Sequence, residues 1–126
     1  MSMRSHIGRV RGLGSAKTGT EHWWMQRVTA IGLIPLTFWF VALVISLAGA
    51  DFETAYLRVA SPAGAVPMIL LLVAGLWHGK LGLQVVIEDY IHAEGVKIAL
   101  LMLLTLATVA LGAAGVFAIC KISFGE

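Results

Sequence analysis

Apolar residues gather in three long runs with polar intervals between them. Val28 to Ala50 and Ile98 to Cys120 each hold 23 residues without a charge, and Val66 to Ile87 holds 22 with His78 and Lys80 inside. A run of about 20 apolar residues is what a helix needs to cross roughly 30 Å of hydrocarbon. The pattern therefore predicts an all-α chain with three transmembrane helices. Residues 1–20 carry Gly8, Gly12, Gly14 and Gly19 among Ser, Thr and basic side chains, without apolar periodicity. They read as a basic arm, disordered alone or ordered against a partner, with the anchor domain occupying residues 21–126. Asp51 to Pro67 reads as an extramembrane connection with Pro67 opening the second helix, and Glu88 to Lys97 as a short polar link.

Finer features mark the helix ends and faces. Pro35 lies inside the first run and is a candidate kink. Trp23 and Trp24 stand where an interfacial aromatic belt belongs. In the third run Gly112 and Gly115, with Ala110, Ala113 and Ala114, form a small-residue face for a close neighbour. The first run begins too late and is too long for the core of a cleaved export signal, so it is kept as a helix.

Composition supports a membrane domain: 59% of the 126 residues are hydrophobic and 13% charged, against about a quarter charged in a soluble protein. Charge placement sets the expected orientation. Arg4, Arg9, Arg11, Lys17 and Arg27 precede the first run and Lys97 shares their side, whereas Arg58 and Lys121 fall opposite. Six against two places the N-terminus inside and the C-terminus outside. In a bacterium that means a cytoplasmic N-terminus and a periplasmic C-terminus in the inner (cytoplasmic) membrane; in a mitochondrion, inside means the matrix. The same rule explains the basic arm without nucleic acid. Cys120, the single cysteine, has no partner for an intrachain disulfide and reads as a small packing or lipid-facing residue.

His78 carries the clearest chemical signal. Counted from Val66 it lies about 18 Å into the bilayer, near or slightly past the midplane, where an ionisable group demands a partner. It can serve as an interhelical hydrogen-bonding group or as an axial haem ligand. Gly75 and Gly82 share its helical face with Val85 and Asp89, which would suit a flat macrocycle. Asp89 and Tyr90 end the same helix about 18 Å further on. A phenol beside a carboxylate can hydrogen-bond a quinone carbonyl and deliver a proton; the same pair also fits ordinary interfacial chemistry. Arg27 and His22 can hold carboxylates such as haem propionates, or act as topology determinants. Lys80 projects about 200° away from His78 and is assigned no chemistry, only snorkelling or pairing with another subunit. The phosphate loops, metal-spaced Cys and His clusters and nucleophile elbows that mark a self-contained enzyme are missing.

The stretch HGKLGLQVVIEDYIH, with Asp89 and Tyr90 following His78 by 11 and 12 positions, resembles the second helix of the hydrophobic membrane-anchor D subunit family of succinate dehydrogenase, respiratory complex II. HWWMQRVTAIGLIPL, leading into the first helix, is similar to the same family, in an alphaproteobacterial style. The likeness runs from about Gly14 onward. It implies half of a six-helix bundle shared with a cytochrome b556-type C anchor subunit, holding an iron–sulfur subunit and a flavoprotein at the membrane. It further implies His78 as one axial ligand of a b-type haem, the other coming from the C subunit, with Arg27 and His22 toward the propionates. Tyr90 would bind ubiquinone with Asp89 in support. Such a chain is not an enzyme alone; succinate oxidation for the tricarboxylic acid cycle and respiratory chain occurs on other subunits. Two alternatives stand beside this reading: a haem-free structural or assembly subunit of another membrane complex, and the anchor of a fumarate reductase.

Overall fold

The computed structural model describes residues 5–12 and 18–125, and the arm expected at 1–4 and 13–17 lies outside them. Five helices follow one another: α1 (His6–Val10), α2 (Thr18–Ser46), α3 (Phe52–Ala60), α4 (Pro62–Tyr90) and α5 (Glu94–Ser123). Among the described residues there is no strand. Three helices, Thr20–Ser46 of α2 with all of α4 and α5, are long and apolar enough to span a membrane, at 27, 29 and 30 residues. The chain is a multi-pass membrane protein.

Each spanning helix differs in extent from its apolar run, because backbone hydrogen bonding continues past the hydrocarbon edge wherever caps allow it. α2 starts ten residues before Val28, and it ends at Ser46 instead of Ala50. Gly49 at φ 80° takes the left-handed conformation that turns the chain there, one that a side chain would resist. Pro35 is accommodated within α2, which continues on both sides of it. α1 corrects the expectation of a helix-free arm: Ser5 caps it by accepting the Gly8 N–H at 3.0 Å, one polar contact sufficing for a single turn.

The second connection is also more ordered than expected. Asp51 caps α3 by accepting the Thr54 N–H at 3.0 Å, and Ser61 then caps α4 by accepting from Gly64 at 3.3 Å. Pro62 occupies the first turn of α4 in place of Pro67, which falls inside the helix. The α3–α4 corner is so tight that a Cβ on Gly64 would collide with the Arg58 carbonyl. Ser123 at the end of α5 donates to the Ala60 carbonyl at 3.0 Å, so the C-terminus closes on the same side as α3. The link between α4 and α5 shrinks to residues 91–93.

α4 is the middle member of an open layer. It packs against α2 on one side and α5 on the other, while α2 and α5 do not meet among the described residues. Only Leu43, Ala65, Leu81 and Ile119 form a buried apolar core. On the α5 side, Leu72 and Leu76 of α4 lie over Gly115 and Gly112. The small-residue face expected for α5 is therefore occupied within the chain, by shape alone.

Candidate functional site

The α2–α4 seam has a different character. His22, Gln26 and Thr29 recur at intervals of four and three, one stripe of a helix, and this stripe meets α4. Thr29 is the one buried polar residue among those described, at 8% exposure. Its hydroxyl lies 3.0 Å from His78 Nδ1, 2.6 Å from the Met25 carbonyl and 3.1 Å from that of Gln26. Just below, the Gln26 side chain faces Gly82. His22 Nε2 and Gln26 Oε1 are buried without a hydrogen-bond partner.

This geometry revises two expectations for His78. Gly75 faces Leu33 and Gly82 faces Gln26 at ordinary van der Waals distance, so the glycines on the histidine's face are turned toward α2 within this chain. The depth also changes. α4 begins one turn earlier than Val66, and His78 is level with Thr29, only two residues beyond Arg27. The imidazole thus lies nearer the Arg27 end of the spans than their middle, about 3 Å of helix rise from Arg27.

The remaining edge of the ring is available. Nδ1 is engaged by Thr29, and Nε2 has no hydrogen-bond partner among the described residues. The half-buried ring lines a groove of about 340 Å³ with Ala30, Leu33, Ile34, Thr37 and Phe38. Apolar walls, a single neutral donor atom and an open outer side fit a haem whose remaining surface is covered by another chain. No group of three His, Cys, Asp or Glu converges on a metal site among the described residues.

The other candidates are dispersed. His22 turns into a second groove of about 560 Å³, lined also by Trp24, Met25, Trp77 and Leu81. Arg27 is exposed, its guanidinium 5.3 Å from the Trp23 ring centre, and Trp23 meets Trp24 edge-on at 5.3 Å. Five residues of helix separate Arg27 from His22 by about 140°, so within this chain they do not form one clamp. Asp89 and Tyr90 both stand exposed at the last turn of α4, Tyr90 at 75%. Lys80 lies 5.3 Å from the Trp77 ring centre, a cation–π contact within α4. Cys120 is a half-buried free thiol. The contacts of Thr29 and the half-buried Gln26 were not anticipated; their signal was the polar recurrence at 22, 26 and 29 entering an otherwise apolar helix.

Fold and site together define a three-span membrane protein whose polar seam, between α2 and α4, sets a single imidazole on an open groove. Residues 1–112 match the family model for the succinate dehydrogenase/fumarate reductase transmembrane subunit, and the chain belongs to that family. Its relatives include proteins named succinate dehydrogenase hydrophobic membrane anchor subunit. That of Rickettsia bellii is 31% identical over 84% of this chain and 85% of its own. The Rickettsia conorii protein is 32% identical over 82% of each. The Paracoccus denitrificans protein is 31% identical over 92% of this chain and 89% of its own. These sources agree with the alphaproteobacterial style of the first-helix motif. The relatives are named as anchors, a role distinct from that of the catalytic flavoprotein.

Proposed function

We propose that this chain anchors a succinate:ubiquinone oxidoreductase, supplies one axial ligand to a haem b and contributes to the ubiquinone-reduction site. The observation that carries the reading is the His78 imidazole, with Nδ1 bound inside the chain and Nε2 left for a ligand in an apolar groove within the membrane. The other described histidines, His6, His22 and His92, do not line that groove. A six-coordinate haem would therefore draw its second imidazole from a partner, the cytochrome b556-type C anchor subunit, completing a six-helix bundle. The open layer around α4 supports that arrangement, since it leaves both outer helices with uncovered faces.

Bound haem would supply one-electron storage between the iron–sulfur subunit and the quinone. This chain's residues would hold and orient it: His78 through Nε2, with Arg27 and His22, from separate faces of α2, toward the propionates. Tyr90 donates a hydrogen bond to a ubiquinone carbonyl at the inner surface, and Asp89 beside it positions that phenol and supplies a proton. Succinate is oxidised on the flavoprotein, which the iron–sulfur subunit joins to the anchor. The names of the relatives favour this direction over fumarate reduction. The excess of basic residues on the N-terminal side puts the N-terminus in the cytoplasm and the C-terminus in the periplasm of a bacterial inner membrane. Purification of the complex from native membranes should yield flavoprotein, iron–sulfur and second anchor subunits with a low-spin b-type spectrum. A purified complex without haem would overturn the ligand role of His78.

A further inference from the structure

Thr29 was marked by none of the chemistry legible in the sequence, yet its hydroxyl makes the one hydrogen bond to the His78 ring among the described residues. A threonine hydroxyl has one hydrogen to give and two lone pairs. The Met25 carbonyl, four residues back on the same helix, lies at 2.6 Å, the shortest of its contacts, and the Gln26 carbonyl lies at 3.1 Å on the same side. The hydrogen is thereby committed to the backbone of α2. What remains toward α4 is an oxygen that can only accept, 3.0 Å from Nδ1. A neutral imidazole carries its proton on one nitrogen and a lone pair on the other.

From this we infer that Thr29 is a positioning residue for haem ligation: it accepts the Nδ1–H of His78, selects the tautomer with the lone pair on Nε2, and sets the plane of the ring. The inference rests on His78 being the axial ligand. Its physical basis is that a partner on the far nitrogen of a ligating histidine fixes the tautomer and ring orientation and raises the donor strength of the ligating nitrogen. Burial strengthens the effect, because Thr29 is 8% exposed and lipid-side water does not compete for its oxygen. Its methyl belongs to the α2–α4 packing, so side-chain shape and hydrogen bonding must be separated in the test.

The test uses the whole complex, with Thr29→Val, Thr29→Cys and Thr29→Ser compared with wild type. Readouts are haem content per flavin, the low-spin electron paramagnetic resonance spectrum and the haem midpoint potential. Valine keeps the shape and loses the acceptor; the released ring weakens as a donor to ferric iron. The potential should shift positive and the largest g-value should move or broaden, while haem remains bound. Cysteine, whose sulfur accepts weakly, should give a smaller shift of the same sign, and serine should match wild type. If the valine complex does not assemble, the cysteine–serine difference carries the same prediction. Wild-type spectra and potentials in both valine and cysteine complexes, or in cysteine alone where valine fails, overturn the role of Thr29 and leave His78 ligation standing. A wild-type complex with no low-spin haem overturns both.

Discussion

α4 is packed on two sides by opposite means. Toward α5, Leu72 and Leu76 settle over Gly115 and Gly112, and no hydrogen bond crosses between the spans. Toward α2, Leu33 faces Gly75 and Gln26 faces Gly82, but here a hydrogen bond crosses the seam, between Thr29 and His78. Within lipid, apolar surface gives helices little reason to associate, so van der Waals fit and polar contacts must do it. The α4–α5 seam shows that fit alone is enough. The polar groups on the α2 side are then surplus to holding the helices together, which is why chemistry is sought there.

Breaking the polar side should have the largest effect. His78→Leu should abolish the low-spin bis-imidazole signal while the complex still assembles, since leucine restores an apolar surface. An unchanged electron paramagnetic resonance spectrum in the assembled variant would count against ligation by His78. The mirror experiment is Gly115→Leu, which forces a side chain into the space held by Leu72. Overpacking of about 1–3 kcal/mol is expected, visible as reduced subunit yield and a lower thermal midpoint. Surviving complexes should keep normal haem spectra; a spectral change without loss of assembly would erase the contrast between the seams.

Tyr90→Phe asks whether the chemistry extends beyond the seam to the exposed end of α4. One donor is removed, worth about 0.5–1.5 kcal/mol, or roughly a two- to twelvefold fall in quinone reduction. Succinate oxidation with an artificial acceptor that takes electrons upstream should persist. Equal loss of both activities, or loss of neither, would make Tyr90 a belt or assembly residue.

The smallest effect belongs outside both seams, at the α3 cap. Hydrogen bonds from Thr54 hold Asp51 below its ordinary value of 3.8. A depressed carboxylate contributes stability above that ordinary value, and the contribution disappears as pH falls through the lower folded value. The protection of the Thr54 amide, its exchange rate relative to the intrinsic rate at each pH, should therefore be constant across neutral pH and fall only below the ordinary carboxylate range. Asp51→Ala should lower that protection across neutral pH, the difference from wild type shrinking as pH falls through the carboxylate range, with haem and quinone reduction intact.

The three spans and His78 were legible because they are matters of composition: long apolar runs, and one imidazole inside one of them. Helix ends were less so. Whether Pro62 or Pro67 opens α4 depends on Ser61 reaching the Gly64 N–H, a contact between neighbours that hydropathy does not register. The role of Gly75 and Gly82 was misread for a related reason. A bare helical face suits a flat cofactor or a second helix equally well, and only the position of α2 distinguishes them. Thr29 escaped notice because threonine in a spanning helix usually bonds its own backbone, as Thr105 and Thr108 do here. Its second contact crosses 49 residues of sequence.

With α4 in the middle, the order of the spans in space is their order along the chain. Each later span packs against the span that precedes it in the chain. α2 precedes α4, and α4 covers its polar stripe, bringing His78 against Thr29 through contacts to which α5 contributes nothing. α5 then docks by fit, and Ser123, three residues from the end, fastens to Ala60 last. The His78 ring is thus aligned by two helices of the chain, independently of the third.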